Sequence, residues 1–173
     1  MKIILMGYMG CGKTYIGKLL SKKINYFHID LDNIIELSFN IKINLFFKKY
    51  GEKFFRLIEH NLLKFIIKYI NINNYILSLG GGTPCYYNNL KYLKKNFTIY
   101  LKTNYKILFK RLNNDNENRP ILKKYRNKKL FFFIKNHIKK REKYYKQSKI
   151  IFNSNYILFK DIVVLIKEKV LNV

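Results

Sequence analysis

Hydrophobic and polar positions follow two periods along this chain, and the periods take turns. Lys2 to Met6 is a short apolar run that reads as a buried strand; Ile16, Leu19, Leu20 and Ile24 then recur at helical spacing. Tyr26–Asp30 is a second candidate strand. Helical patterns follow over Asn33–Phe39 and Ile43–Lys49. Gly51 breaks the pattern. Glu52–Ile70 resumes it, with Phe55, Ile58, Leu62, Phe65 and Ile66 along one side. Tyr75–Leu79 is a third apolar strand that runs into Gly80-Gly81-Gly82. Asn88–Lys95 reads as a short helix, Phe97–Leu101 as a strand and Tyr105–Leu112 as a helix. The stretch 113–127 is polar, is interrupted by Pro120, and gains apolar residues only at Ile121 and Leu122. A structureless segment of that length usually has a functional role. Lys128–Lys146 returns to helix, Ile150–Phe152 is the last strand, and Leu158–Val170 the closing helix. Alternation of this kind predicts an α/β fold, a three-layer sandwich whose central five-stranded parallel sheet is covered by helices on both faces.

Length and composition narrow the class. The 173 residues suit one domain over 1–173, without repeats or a linker, and an apolar content of 49% is that of a globular chain. No apolar run reaches the roughly 18 residues that a bilayer span needs. The first core strand begins at the N-terminus, so no cleaved leader is expected. Cys11 and Cys85 lack metal-ligand spacing and read as free thiols in a reducing cytoplasm. The net charge of +25 draws attention to nucleic acids. Yet Lys, Asn, Ile, Tyr and Phe are inflated throughout the chain, and Trp is absent. Such diffuse enrichment fits compositional drift in an AT-rich genome better than a dedicated basic patch. It favours anionic small molecules and argues against a nucleic-acid or membrane partner. A monomer is expected.

Chemistry enters at Gly7–Thr14, GYMGCGKT, which fits G-x-x-x-x-G-K-[ST] between a strand and a helix. The glycines let backbone approach a phosphate closely, and the amides at the helix N-terminus bind oxyanions. Lys13 adds a point charge for the β/γ phosphates, and the Thr14 hydroxyl can ligate Mg²⁺. Asp30 and Asp32 stand two apart where the second strand ends. On an extended backbone both face one way, toward the edge where open α/β sheets bind ligands. One carboxylate then serves Mg²⁺ and the other a substrate hydroxyl, unless Asp32 merely caps the next helix. Arg56 and Glu59 are three apart on a helix. They form either an exposed ion pair of little worth or a guanidinium held ready for a carboxylate. Gly80, Gly81 and Gly82 clear side chains where a ligand can touch backbone amides. Arg119, stiffened by Pro120, is positioned to close over phosphates, and Arg141 is a candidate second anion anchor. His28, His60 and His137 form no metal or triad pattern and are expected to be structural or exposed.

In this order the pieces resemble the shikimate kinase family over nearly the whole chain. GYMGCGKT is similar to that family's phosphate loop, DLDNIIE to its carboxylate pair and GEKFFRLIE to its substrate-binding helix. LSLGGG, RPIL and REKYY resemble its glycine turn, lid and last substrate arginine. The resemblance implies a P-loop fold like that of nucleoside-monophosphate kinases, with a mobile lid over approximately 113–127 and a shikimate-binding helical region over approximately 32–62. It implies transfer of the ATP γ-phosphate to the 3-hydroxyl of shikimate with Mg²⁺, a step toward chorismate and the aromatic amino acids. By position, Lys13, Asp32 and Arg119 are catalytic, and Thr14 and Asp30 hold the metal. ATP meets Gly10, Cys11, Gly12, Lys13, Thr14, Tyr15, Arg111 and Arg119. Shikimate meets Asp32, Arg56, Gly80, Gly81, Gly82 and Arg141. Three departures bear on ATP affinity and turnover. Tyr15 replaces a second hydroxyl residue, Gln147 an acidic one, and 153–156 lacks an arginine. Another small P-loop kinase, for gluconate or a nucleotide, would share the loop and lid but not Arg56, Gly81 and Arg141. A basic nucleic-acid-stimulated ATPase is the alternative from another class.

Overall fold

The computed structural model describes residues 1–114 and 119–155, together with Val164 and Glu168. Five strands, β1 (Lys2–Met6), β2 (Phe27–Asp30), β3 (Tyr75–Ser78), β4 (Phe97–Lys102) and β5 (Ile150–Asn153), form one sheet in the order β2-β3-β1-β4-β5. Every pairing is parallel. The helices are α1 (Lys13–Ile24), α2 (Leu31–Phe39), α3 (Ile43–Tyr69), α4 (Leu90–Leu93), α5 (Tyr105–Asn113) and α6 (Asn127–Tyr145).

β1 explains the layering. Successive side chains of a strand point to opposite faces, and in β1 both faces are covered. Ile3 and Leu5 pack with Leu20 of α1, Leu108 and Leu112 of α5, and Leu130 and Ile134 of α6. Ile4 and Met6 pack with Leu31 of α2, Leu63 and Ile66 of α3, and Leu90 and Leu93 of α4. A strand buried on both sides must be apolar throughout, hence the run IILM. Each such side chain contributes roughly 1.5–3 kcal/mol by leaving water.

The register brings the chemistry to one edge. Leu5 and Asp30 both pair with Ser78, so the strand ends before the phosphate loop, the first aspartate and the glycine turn lie level. Connections from β1 to β2 and from β3 to β4 leave on opposite sides of β1. The crevice at this reversal is where open α/β sheets bind ligands.

Several boundaries differ from expectation. α2 begins at Leu31, so Asp32 stands in a first helical turn and not on extended strand. The cap is Asp30, whose Oδ1 accepts from the Asn33 amide at 3.2 Å. The break expected at Gly51 is present: α3 is two helical segments that meet at a kink there, where Gly51 alone departs from helical geometry (φ 80°, ψ 167°). Glu36 joins α2 to α3 by accepting from the Ile43 amide at 2.9 Å. Phe65 is exposed; the inward face of α3 is Phe55, Arg56, Glu59, Leu63 and Ile66. The predicted closing helix and part of the polar stretch 113–127 lie outside the described residues. Within that stretch, Leu122 is buried, and its amide donates to the Arg119 carbonyl at 2.9 Å.

Candidate active site

The phosphate loop comes first, because its shape is set by backbone alone. Gly10 and Gly12 both sit at positive φ, 77° and 95°, where a side chain would be strained. Gly12 caps α1, whose first turn carries no acidic residue. The helix N-terminus is therefore left with its partial positive charge directed at any bound anion. Lys13 is folded beneath the loop. Its Nζ donates to the carbonyls of Gly7 and Tyr8, each at 3.0 Å, and lies 3.6 Å from Cys11 Sγ. Cys11 is buried and its amide is already used on the Tyr8 carbonyl at 3.2 Å. The small side chain thus fills space under the loop. Tyr15 is 68% exposed.

Thr14 Oγ1 donates to Asp30 Oδ2 at 2.6 Å. Two hard oxygens thus meet at the mouth of the loop. Among the described residues no three His, Cys, Asp or Glu side chains form a metal cage. Two oxygen donors without a cage suit Mg²⁺, which keeps several waters and is shared with substrate phosphates. Asp32 has another environment. Burial of its carboxyl, with Glu59 and Asp30 adding like charge against the pull of Lys13 and Arg56, pushes its pKa up to about 7. A carboxyl poised near neutrality can hold or release a proton at working pH.

Arg56 is braced on several sides. It is 5% exposed, and its Nη1 donates to Glu59 Oε2 at 2.7 Å. Glu59 is fully buried and accepts from Thr83 Oγ1 with its other oxygen. The Nε and Nη2 of Arg56 both reach Glu52 Oε1 at 3.2 Å. The rings of Phe55 and Tyr86 flank the guanidinium at 5.1 and 4.8 Å. Burial opposes the charge, but Glu59 and then Glu52 outweigh it and hold the guanidinium ionised. The exposed ion pair considered from sequence is thus a buried one, aimed at a cavity.

The glycine turn is shaped by these side chains. A Cβ on Gly80 would stand 2.5 Å from Glu59 Oε1 and 2.7 Å from Asp32 Oδ1. On Gly82 it would meet Arg56 Cζ at 2.6 Å. Gly81 offers its carbonyl to Arg141 Nη1 at 3.2 Å and to the Tyr145 hydroxyl at 2.5 Å, which docks α6 on the turn. Tyr145 gave no signal of its own in the sequence. Only its place one turn after Arg141 in REKYY pointed to it.

These residues meet in one cavity of about 590 Å³. Its lining includes Met9 and Thr14 of the loop, Asp30 and Asp32, Arg56, Gly80, Gly81, Gly82 and Arg141, with Arg119, Pro120 and Ile121; Gly10, Cys11, Gly12 and Tyr15 do not line it. Lys13 is not in the lining, since its ammonium is turned under the loop. Arg111 also stands apart, on α5, and donates to the Gly10 carbonyl at 3.0 Å. His28 lines the cavity and bonds Ser78 Oγ at 3.0 Å; burial first, with Lys18, lowers its pKa against Asp30. His60 bonds Asn89 Oδ1 and His137 bonds the Tyr8 hydroxyl, and neither lines this cavity.

Comparisons with known proteins identify the family. The sequence profile of the family described as shikimate kinase matches residues 9–169. A shikimate kinase of Flavobacterium psychrophilum is 45% identical over 150 residues, 86% of either chain. The crystal structure of shikimate kinase from Bacteroides thetaiotaomicron superposes with a TM-score of 0.87 at 34% identity, covering 99% of this chain and 98% of the other. Shikimate kinase from Acinetobacter baumannii, solved in complex with shikimate, does so with a TM-score of 0.86 at 26% identity, covering 99% and 93%. With a match over nearly its whole length, the chain belongs to the shikimate kinase family.

Proposed function

We propose that this protein transfers the γ-phosphate of ATP to the 3-hydroxyl of shikimate, giving shikimate 3-phosphate and ADP. The observation that carries the reading is the cavity lined by Thr14 of the phosphate loop, by Asp30 and Asp32, and by three arginines, Arg56, Arg119 and Arg141. Its volume of about 590 Å³ falls within the usual range for small-molecule sites.

The chemistry divides by side. Amides of the loop through Gly10–Tyr15 cradle the nucleotide phosphates, and Lys13 swings from the Gly7 and Tyr8 carbonyls onto the β and γ groups. Arg111 braces the loop beside the adenosine. Thr14 and Asp30 would hold Mg²⁺, which would supply charge neutralisation for the transferred phosphate. Arg56 and Arg141 grip the acceptor carboxylate, with Gly80, Gly81 and Gly82 forming the wall between them. Arginine is the residue suited to that task, since its planar fork matches the two carboxylate oxygens.

Asp32 binds the reacting hydroxyl and takes its proton. That oxygen forms a bond to the γ-phosphorus as the bond to the β–γ bridging oxygen breaks, and ADP leaves with the electron pair. Arg119 closes from the lid and stabilises charge on the transferred group. Closure also removes water, which would otherwise compete with the acceptor. Positioning and charge neutralisation supply most of the rate in such transfers, as the braced arginines suit.

A coupled ADP-release assay over a panel of acceptors tests this reading. ADP should appear with shikimate and not with gluconate or AMP. Turnover of gluconate or AMP with none of shikimate would overturn it.

A further inference from the structure

Arg56 is served by two carboxylates of different character. Glu59 is fully buried and makes a short contact of 2.7 Å. Glu52 is 43% exposed, and its three contacts through Oε1, to Arg56 Nε, Arg56 Nη2 and the Tyr86 hydroxyl, are all 3.2 Å long. It follows directly on Gly51, the non-helical point of α3. Glu52 does not line the substrate cavity; it faces two neighbouring hollows on the outer side of Arg56.

A guanidinium has five N–H donors. Glu59 takes one on Nη1, and Glu52 takes Nε and one on Nη2. One donor remains on each terminal nitrogen, enough for the two oxygens of one carboxylate. Charge is the scarcer resource. A single positive charge already faces two negative ones before any acceptor arrives. Glu59 is needed to hold the buried guanidinium in place. Glu52 adds little to that hold, since its contacts are long and half in water.

We infer that Glu52 is an internal counter-anion on Arg56, competing with the acceptor carboxylate for the guanidinium and setting its affinity. The inference rests on the acceptor role of Arg56 proposed above. In the free enzyme Glu52 occupies the fork edge as a second negative charge beside Glu59. When the acceptor binds, Glu52 shares or yields the guanidinium. The resulting weaker hold keeps the Michaelis constant up and lets product leave.

The test is calorimetric titration of wild type, Glu52→Gln and Glu52→Ala with shikimate and, separately, with Mg-ADP. Removing the competing charge should tighten shikimate roughly three- to fivefold in both variants, the size expected of a half-exposed ion pair. Mg-ADP affinity should not change, and KM for shikimate should fall without a matching fall in kcat. Weaker or unchanged shikimate binding would overturn the inference, Glu52 then being only a brace. Equal tightening of shikimate and Mg-ADP would also overturn it, as the effect of general charge. If wild type bound Mg-ADP but no shikimate, the acceptor reading itself would fall, and this inference with it.

Discussion

The two sides of the cavity are built by different means. The nucleotide side comes from one continuous stretch, Gly7–Thr14, whose shape depends on glycine backbone and a helix terminus. The acceptor side is assembled from α2, α3, the glycine turn and α6, which meet only through tertiary packing. Its parts hold one another: Thr83 and Arg56 hold Glu59, and Arg141 and Tyr145 hold the Gly81 carbonyl. A local site can lose a side chain and keep its form. A site made of buried, interlocked charges cannot.

The largest expected effect tests the local side. Lys13→Ala should lower kcat/KM by at least about 10²–10³-fold with every acceptor, the scale for removing one donor to a developing anion. The circular dichroism spectrum and melting temperature should stay close to wild type, because the ammonium's hydrogen bonds all go to atoms of the loop itself. Arg56→Ala should behave differently. It leaves Glu59 buried without its cation, so stability should drop by roughly 3–5 kcal/mol in urea titration. KM for shikimate should rise roughly 10- to 100-fold through the lost charged hydrogen bonds. The double change Arg56→Met with Glu59→Leu should restore stability but not shikimate binding. If Lys13→Ala cost as much stability as Arg56→Ala, the contrast between the sides would fail.

The next effect is one of pH. Asp32 as base must be ionised, so kcat/KM should fall on the acid side with an apparent pKa near 7. Stability should run the other way. The carboxyl loses its proton near 3.8 when unfolded and near 7 when folded, so the folded state binds this proton more tightly. The stability this gives is full below 3.8 and is lost as pH rises toward 7. Asp32→Asn should therefore raise the melting temperature at pH 8, remove part of that slope, and abolish transfer. The smallest effect is at Tyr15, which is exposed: Tyr15→Ala should change stability by less than about 0.5 kcal/mol, with KM for ATP near wild type.

How much of this could be read in the chain follows the same division. GYMGCGKT announces itself, since its chemistry lies in residue types at fixed spacing. The strands were legible too, because those buried on both faces must be apolar runs, and the two-sided packing of Ile3, Ile4, Leu5 and Met6 is such a case. Arg56 and Glu59 were recognisable as a pair, but not as a buried one. Their charges hid the inward face of α3, and Phe65, apolar but exposed, was taken for part of it. The i, i+2 spacing of Asp30 and Asp32 suits a strand, but the Asp30 cap starts the helix at Leu31, two residues before the expected Asn33, and so takes Asp32 off extended backbone. Tyr86 meets Arg56 and Glu52 from 30 or more positions away, and periodicity carries no trace of that. Glu52 and Arg56, by contrast, stand at i, i+4 on one helix, a spacing that does signal an ion pair.

The central claim is that one cavity holds a carboxylated ring between Arg56 and Arg141 with its reacting hydroxyl at Asp32. A crystal structure with shikimate and Mg-ADP tests it most directly. The account predicts the shikimate carboxylate within hydrogen-bond reach of both guanidinium groups and a hydroxyl against the Asp32 carboxyl. Shikimate bound elsewhere, or seated in the cavity with its carboxylate turned away from both arginines, would contradict it.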